Sequence, residues 1–315
     1  MKTRPDYRLP DAKQEKLDRA RHLEWVTIFF LLTIIAVMYL TMGASQAMKT
    51  AWIEDVLSLI PPISFLVAMR YRDRSPTRAF PYGYRRATLL AFLVAAVAIL
   101  VLGLYMLYDA AMSLITQHHP TLGHFDLFGW HLWSGWVMIV ALIYSMIPPV
   151  VLGRMKLPLA EDLYEKTLHA DATMNKADWM TAAAAILGIL GLGLGLWCAD
   201  AVAAGFISLD VVKDGFSNVK NAMAALMDQR PTEVSEGKPL GLEDRLRDEL
   251  RGLPAVRDAD VRLREEGHVI SGELFVVLEE QRDVARRISE IAEHAAGLDW
   301  RLYNLVVMPV ETIEK

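Results

Sequence analysis

The stretch ATLLAFLVAAVAILVLGLYMLY, residues 87–108, contains no charged side chain. As an α-helix with a rise of about 1.5 Å per residue it is long enough to cross the ~30 Å hydrocarbon core of a bilayer. Helices in soluble domains average about three turns, so an uncharged run of this length favours a membrane span.

Five further blocks are almost free of charge, and the chain as a whole is 53% hydrophobic over 315 residues. The two shortest blocks reach the length of a span when their flanking turns are included. We therefore predict a membrane all-α bundle of six transmembrane helices, built from residues 87–108 and from residues 25–48, 56–69, 127–153, 179–199 and 201–209.

Basic residues collect on one side of these predicted spans. Residues 1–22 hold seven Lys or Arg and residues 70–86 hold six, whereas the first outer turn has only Lys49 and residues 109–130 have none. The connection after the fourth span adds Arg154, Lys156 and Lys166. The positive-inside rule then places both termini in the cytoplasm, and we expect an integral membrane protein of a bacterial inner or plasma membrane.

The periodicity of the sequence changes after a linker-like segment, QRPTEVSEGKPLG (229–241). An amphipathic helix, two strands, a second helix and a closing strand are indicated, in that order. This α-β-β-α-β order predicts a ferredoxin-like α+β domain. The predicted division is a cytoplasmic N-terminal segment 1–22, a six-helix transmembrane domain 23–228, the linker 229–241 and a cytoplasmic C-terminal domain 242–315.

Charge and cysteine content exclude several classes of function. Residues 237–315 carry the whole net charge of −5, and an acidic domain argues against a nucleic-acid partner. Cys198 is the only cysteine, so an intrachain disulfide and cysteine-based zinc sites are excluded. A membrane metalloenzyme would need a positioned general base beside its metal. Neither His-Glu-x-x-His nor a nucleophile–base arrangement is present, and we expect no enzyme activity and no resident cofactor.

Two polar clusters interrupt the apolar spans, where ionisable residues are costly and mark a pathway or a site. The second span offers Glu54, Asp55 and Ser58, of which the first and last share a helix face. A one-residue change of register would bring Asp55 to that face instead, so the ligand from this pair is left open. In the fifth span one continuous stripe consists of Asp171, Met174, Asn175 and Asp178.

Glu54 and Asp178 each lie about 16 residues from the inner end of their span, or ~24 Å along a helix. At equal depth the two clusters are expected to meet. Converging carboxylates repel one another unless a cation or protons neutralise them. An oxygen-rich pocket suits a hard or borderline divalent cation, which the same groups can exchange for protons.

Three stretches resemble the cation diffusion facilitator family. ADATMNKADWMTAAA (170–184) is similar to the fifth-helix pattern of that family, and FPYGYRRA (80–87) is similar to its cytoplasmic loop. The third stretch, 198–231, resembles its sixth helix. The resemblance implies a six-span antiporter of divalent metal cations and protons, with a cytoplasmic ferredoxin-like domain through which two copies form a homodimer in the lipid bilayer.

The resemblance also implies where the metal ligands lie. The acid pair of the second helix corresponds to Glu54 and Ser58, and the His and Asp of the fifth helix correspond to Met174 and Asp178. One carboxylate and the imidazole are thus replaced, and Asp55, Asp171 or Asn175 would supply the missing donors. The ion stays open among Zn, Fe, Mn, Co, Ni and Cd, although a thioether offers little to Mg²⁺ or Ca²⁺.

Other positions depart from the family or support it. Tyr84 replaces a loop histidine, and the C-terminal domain has only His268 and His294, so metal-triggered closure of a dimer is not expected. By analogy, Arg86 and Asp228 are expected to pair between the loop and the sixth helix. The function predicted is export of a divalent transition metal from the cytoplasm. The alternative is a transport-inactive relative that acts as a regulatory or interaction partner.

Overall fold

A computed structural model of the chain describes residues 9–41, 46–116, 124–127, 130–193, 199–235, 237–280 and 282–313. Its first part is a bundle of long helices with one short hairpin between the fourth and fifth. In chain order these elements are α1 (Asp11–Thr41), α2 (Gln46–Leu57), α3 (Ile60–Arg72), α4 (Ala87–Ile115), β1 (His124–Leu127), β2 (Trp130–Trp133), α5 (Ser134–Leu163), α6 (Lys166–Gly193) and α7 (Ala199–Leu226).

Within the described ranges, four segments are long and apolar enough to cross a membrane: Asp11–Thr41, Trp52–Arg72, Ala87–Ile115 and Gly135–Leu163. Four of the six predicted spans are therefore found among the described helices. The remaining two long helices, α6 and α7, each have 28 residues, and charged side chains are spread over the first half of α6 and along most of α7. Both pack against the helices of the bundle, α6 against α5 and α7 against α4.

The second span is broken in the middle. The helix α2 ends at Leu57, two turn residues follow, and α3 begins at Ile60 with prolines in its first turn. Proline has no N–H and its ring clashes with the carbonyl four residues earlier, so Pro61 and Pro62 cannot continue a helix from α2. The two prolines therefore account for the interruption of this span. In contrast, α5 continues through Pro148 and Pro149.

The second part of the chain has the predicted α-β-β-α-β order. It comprises α8 (Leu242–Arg251), β3 (Val256–Glu265), β4 (Ile270–Leu278), α9 (Val284–Gly297) and β5 (Leu302–Pro309). The strand β4 lies in the centre of the sheet, antiparallel to β3 and parallel to β5. Apolar faces of α8 and α9 cover it, with Leu246, Leu250, Leu274 and Ile291 in one buried cluster.

A buried polar cluster joins this sheet to the helical bundle. Lys166, at the start of α6, donates hydrogen bonds of 2.7 and 2.8 Å to the two carboxylate oxygens of Glu265 at the end of β3. The hydroxyl of Tyr164 donates to the same carboxylate at 2.7 Å, as does the backbone N–H of Thr232 at 2.8 Å. Burial, followed by the nearby charge of Glu265, raises the pKa of Tyr164.

A second contact between the two parts lies beside it. His268, in the turn between β3 and β4, is fully buried with its Nδ1 3.5 Å from a guanidinium nitrogen of Arg72. Burial, and then the charges of Arg72 and Arg85, lower the pKa of His268. Glu165 is also buried there, and burial raises its pKa to about 7 against the opposing effect of Arg72.

These contacts correct one part of the sequence interpretation. Lys156 and Lys166 were expected in a cytoplasmic connection, as two of its three basic residues. Instead α5 extends to Leu163, Lys156 is fully buried within it, and Lys166 is buried against Glu265. The positive charge exposed at this connection is therefore carried by Arg154.

Candidate metal site

The predicted clusters of the second and fifth spans meet at one hydrogen bond. Ser58, in the turn that interrupts the second span, donates from its hydroxyl to Oδ1 of Asp178 on α6 at 2.6 Å. The Ser58 side chain is buried, at 2% exposure. The helix break positions this hydroxyl because the turn begins where α2 ends, directly opposite the middle of α6.

Asp55, three residues before Ser58, lies close enough to Asp178 for the two carboxylates to repel each other. Asp55 Oδ2 and Asp178 Oδ2 are both buried and neither has a hydrogen-bond donor within the described part of the chain. Two buried carboxylate oxygens without donors are costly. A bound cation or a proton would remove that cost, and this is the arrangement expected of a cation site.

Glu54 directly precedes Asp55 on α2 and is largely buried, at 8% exposure. Its backbone carbonyl accepts from the Ser58 N–H at 3.0 Å, which closes the last turn before the break. Glu54 and Asp55 therefore both remain at the level of Asp178. Of the two acids, Asp55 is the one that places a buried, donor-free carboxylate oxygen near Asp178 in the described part of the chain.

Asp171 and Asn175, two turns and one turn before Asp178 on α6, belong to a different cluster. Asp171 accepts hydrogen bonds from Lys156 of α5 and from Asn175 Nδ2, the latter at 3.3 Å. Lys156 in turn donates to Oε2 of Glu24 on α1 at 2.9 Å. Both partners of Lys156 are buried, so the ammonium group of Lys156 connects α5 to α1 and α6 inside the bundle.

Lys156 and Glu24 were not identified from the sequence. Glu24 directly precedes the uncharged block 25–48, and Lys156 follows the block 127–153 by three residues. A charge at either edge of an apolar block ordinarily marks the end of a span. The available signal was that both charges lie within one turn or so of a span, where their side chains can fold back into the bundle.

Met174 lies on the predicted stripe, but its surroundings are apolar. It is 1% exposed and belongs to a buried cluster with Phe92, Ile99 and Leu102 of α4. The predicted ligands thus separate into an upper group, a lower ion-paired group and a packed methionine. The upper group consists of Glu54, Asp55, Ser58 and Asp178.

Within the part of the chain that the structure describes, no three His, Cys, Asp or Glu side chains converge as a formed metal-binding set. The upper group offers carboxylate and hydroxyl oxygens, the donor types that hard and borderline divalent cations prefer. The C-terminal histidines are separate: His268 lies in the contact with Arg72, and His294 is 4.0 Å from Glu249 on the surface.

The expected pair between loop and sixth helix is confirmed. Arg86 donates a hydrogen bond to Asp228, directly after α7, and both side chains are roughly half exposed. The loop of residues 73–86 is thereby connected to the end of α7, as the family resemblance implied.

Comparison with known proteins agrees with this arrangement. A family model for the cation efflux transmembrane domain matches residues 25–227, which contain the whole helical bundle after the start of α1. The manganese efflux system protein MneS of Bacillus subtilis is 22% identical over 281 residues, which cover 87% of this chain and 90% of that protein.

Two further relatives match over shorter stretches. The probable proton-coupled zinc antiporter SLC30A4 of Mus musculus is 28% identical over 132 residues, 39% of this chain and 28% of its own. The magnetosome protein MamB of Magnetospira is 19% identical over 187 residues, 59% of this chain and 60% of its own. With a family match across most of the chain, buried acids where the helices meet and a small mixed sheet after the bundle, the chain belongs to the cation efflux family and is an integral membrane transport protein.

Proposed function

We propose that this protein is a secondary transporter that exports a divalent transition metal from the cytoplasm in exchange for protons, and that Mn²⁺ fits its site best. The observation that carries the proposal is the pair of buried, donor-free oxygens on Asp55 and Asp178. Each can accept a metal ion or a proton, and the two occupants exclude each other because they neutralise the same charge.

The donor chemistry supports Mn²⁺ over Zn²⁺. The upper group offers carboxylates and a hydroxyl, which suit Mn²⁺, whereas zinc sites favour imidazole and thiolate in tetrahedral geometry. Met174 packs among apolar side chains, so a soft thioether ligand is not needed to explain its presence. The relative that covers most of the chain bears a manganese efflux name, which supports the same ion.

We also propose that α6 and α7 complete a six-span domain with both termini in a bacterial cytoplasm. The six arginines of the second connection support this orientation. The acidic C-terminal domain, packed beneath the bundle through Lys166 and Glu265, would then face the cytoplasm and form the homodimer contact that the family resemblance implies.

The test is proton movement in proteoliposomes that contain an internal pH dye. Mn²⁺, Zn²⁺, Fe²⁺, Co²⁺, Ni²⁺ and Cd²⁺ are added in turn, and Mn²⁺ is expected to give the largest signal. Asp178→Asn should lower the Mn²⁺-dependent flux by at least about tenfold, a loss typical of altered metal shells.

Asp210→Asn is the matched control, because Asp210 is a half-exposed aspartate of α7 that pairs with Lys176 outside the upper group. It should retain the flux. Flux with Asp178→Asn equal to that of the unaltered protein would refute the site. Silence with all six ions, from protein shown to be folded and inserted, would support the alternative of a transport-inactive regulatory partner.

A further inference from the structure

A cavity of about 840 Å³ opens at the side of the bundle, away from the upper group. It lies between α3, α4, the loop that connects them and the end of β3. This volume is within the range of roughly 300–1,000 Å³ that is usual for small-molecule sites. None of the predicted metal ligands lines it.

One end of this cavity is apolar and faces outward from the bundle. Val67 of α3 and Leu90 and Val94 of α4 line it with about half of each side chain exposed. Its floor is formed by buried alanines at 68 and 91. The strip extends along α4 from Ala87 for two turns, or ~10 Å, into the membrane segment.

The other end carries tyrosines and arginines. Tyr71, Tyr82 and Tyr84 line it, together with Arg85, Arg86 and Arg264. Aromatic residues of this kind collect at membrane–water boundaries, where the ring is apolar and the hydroxyl is solvated. The cavity therefore changes from aliphatic to cationic over the same distance in which a bilayer changes from acyl chains to headgroups.

The charges at the polar end leave a surplus of hydrogen-bond donors. Arg86 is engaged with Asp228, and Arg85 stacks on Tyr303 with its guanidinium carbon 4.1 Å from the ring centroid. Arg264 lies 3.6 Å from Glu266 and 3.8 Å from Glu273, both beyond hydrogen-bond length. Its buried Nε has no hydrogen-bond partner within the described ranges.

Acidic side chains contribute little to the lining of the cavity. Among the lining residues, Glu266 is the only acid, and one of its oxygens already accepts a hydrogen bond of 2.8 Å from Ser271. Asp228 pairs with Arg86 from outside the lining, so Arg85 and Arg264 are the guanidinium groups at the polar end that can face an anion. An anion placed there would gain from Arg264 in particular, because its two nearest carboxylate contacts among the described residues, at 3.6 and 3.8 Å, are longer than hydrogen bonds.

We propose that this cavity binds one anionic phospholipid from the adjoining leaflet. The phosphate lies at Arg264 and Arg85 within reach of the tyrosine hydroxyls, and one acyl chain lies along Val67, Leu90 and Val94. Basic pockets between spans on the cytoplasmic side are suited to such headgroups. A free phosphate would leave the apolar strip without a partner. If the proposed orientation of the spans holds, the leaflet that adjoins this cavity is the cytoplasmic one.

The experiment measures lipid retained by the full-length protein in a nonionic detergent, by native mass spectrometry. The probes are phosphatidylglycerol and phosphatidylcholine with identical acyl chains. Phosphatidylglycerol should be retained preferentially as a single bound copy. Arg264→Gln should weaken that retention about fivefold, as expected for one basic residue near a lipid headgroup.

Arg154→Gln is the matched charge control, because this exposed arginine lies at the C-terminal half of α5 outside the cavity; it should leave retention unchanged. Val94→Trp keeps every charge but fills the apolar end, and it should reduce retention of both lipids. Equal binding of the two lipids, unaltered retention in both cavity variants, or displacement by inorganic phosphate would each overturn the proposal. No metal or pH gradient is used, so failure here is distinct from failure of metal export.

Discussion

Lys156 donates a hydrogen bond of 2.9 Å to Glu24 across the contact between α5 and α1, and both side chains are completely buried. The same ammonium group donates to Asp171 of α6. One cation is thus shared between carboxylates of two other helices. Because all three groups have left water, each depends on the others for its neutralisation.

We expect Lys156→Met to destabilise the bundle by about 3–5 kcal/mol, the usual cost of removing one partner from a buried ion pair. The physical reason is that two carboxylates are then left facing each other without a cation. Thermal unfolding of the detergent-solubilised protein, followed by circular dichroism, measures the change.

The control for this prediction is the triple variant Glu24→Gln, Lys156→Met, Asp171→Asn, which removes all three charges together. It should unfold closer to the unaltered protein than the single variant does. If Lys156→Met alone unfolds at the original temperature, the trio contributes nothing to the packing of these helices.

The pair of Arg86 and Asp228 should behave differently, since both side chains are about half exposed. Surface pairs contribute roughly 0–1 kcal/mol, so either single substitution should leave thermal stability nearly unchanged. We expect Arg86→Asp and Asp228→Arg each to lower transport and the double charge swap to restore it. A double swap as inactive as the single variants would show that the pair does not connect loop and helix functionally.

Lys166→Met should loosen the C-terminal domain from the bundle. It leaves Glu265 buried without its cation, beside the hydroxyl of Tyr164, at a cost of about 3–5 kcal/mol. The expected readout is faster cleavage by a glutamate-specific endoprotease within residues 229–241, which contain Glu233 and Glu236. Trypsin is unsuitable because both basic residues of the segment, Arg230 and Lys238, precede proline. Arg286→Gln, in an exposed pair with Glu290, is the control and should leave the cleavage rate unchanged.

Glu165 predicts a pH dependence of stability. Its pKa is raised to about 7 by burial, from an ordinary value of 4.5. The folded state therefore binds more protons than the unfolded state between these values, and the contribution of Glu165 to stability falls as pH rises through about 4.5 to 7. His268 acts in the opposite direction, because burial lowers its pKa.

Comparison with the Glu165→Gln variant separates the contribution of Glu165 to the pH dependence of stability from that of His268. The unfolding temperature of the unaltered protein, relative to that of this variant, should fall as the pH rises from 5 to 7. A constant difference across that range would mean that Glu165 titrates at its ordinary pKa in the folded protein.

Ser58→Asp would return a carboxylate to the position that is acidic in the family pattern. It replaces the hydroxyl that donates to Asp178 by a like charge. Without metal we expect lower thermal stability, and with divalent cation a larger stabilisation than in the unaltered protein, since ligand binding to the folded state alone raises stability. Ser145→Asp, at a buried α5 position outside the site, should lose stability without regaining it on addition of metal.

Much of this structure could be predicted from the sequence, because the patterns that indicate its helices and strands are local and periodic. The C-terminal order follows from a change between helical and strand periods. The contact between Ser58 and Asp178 follows from matched depths of two polar clusters. The pair of Arg86 and Asp228 came from the family resemblance.

The internal position of Lys156 was not predictable in this way. Its neighbours in sequence are mixed, and it lies where an apolar block gives way to charged residues. Whether such a lysine faces solvent or the bundle depends on which face of α5 meets α1 and α6, which no window of sequence contains. The separation of Met174 from the upper group has the same origin, because it is decided by packing against α4.

The interruption at Ser58 also exposes backbone. The carbonyls of Leu57 and Ser58 would ordinarily accept hydrogen bonds from residues 61 and 62, but prolines occupy both positions and have no N–H to donate. The negative end of the α2 dipole, equivalent to about half an elementary charge, is thus directed toward the level of Asp178. The polypeptide backbone itself therefore adds electron-rich oxygens to the acids beside it, so the demand for a positive charge at this depth exceeds what the side chains alone would create.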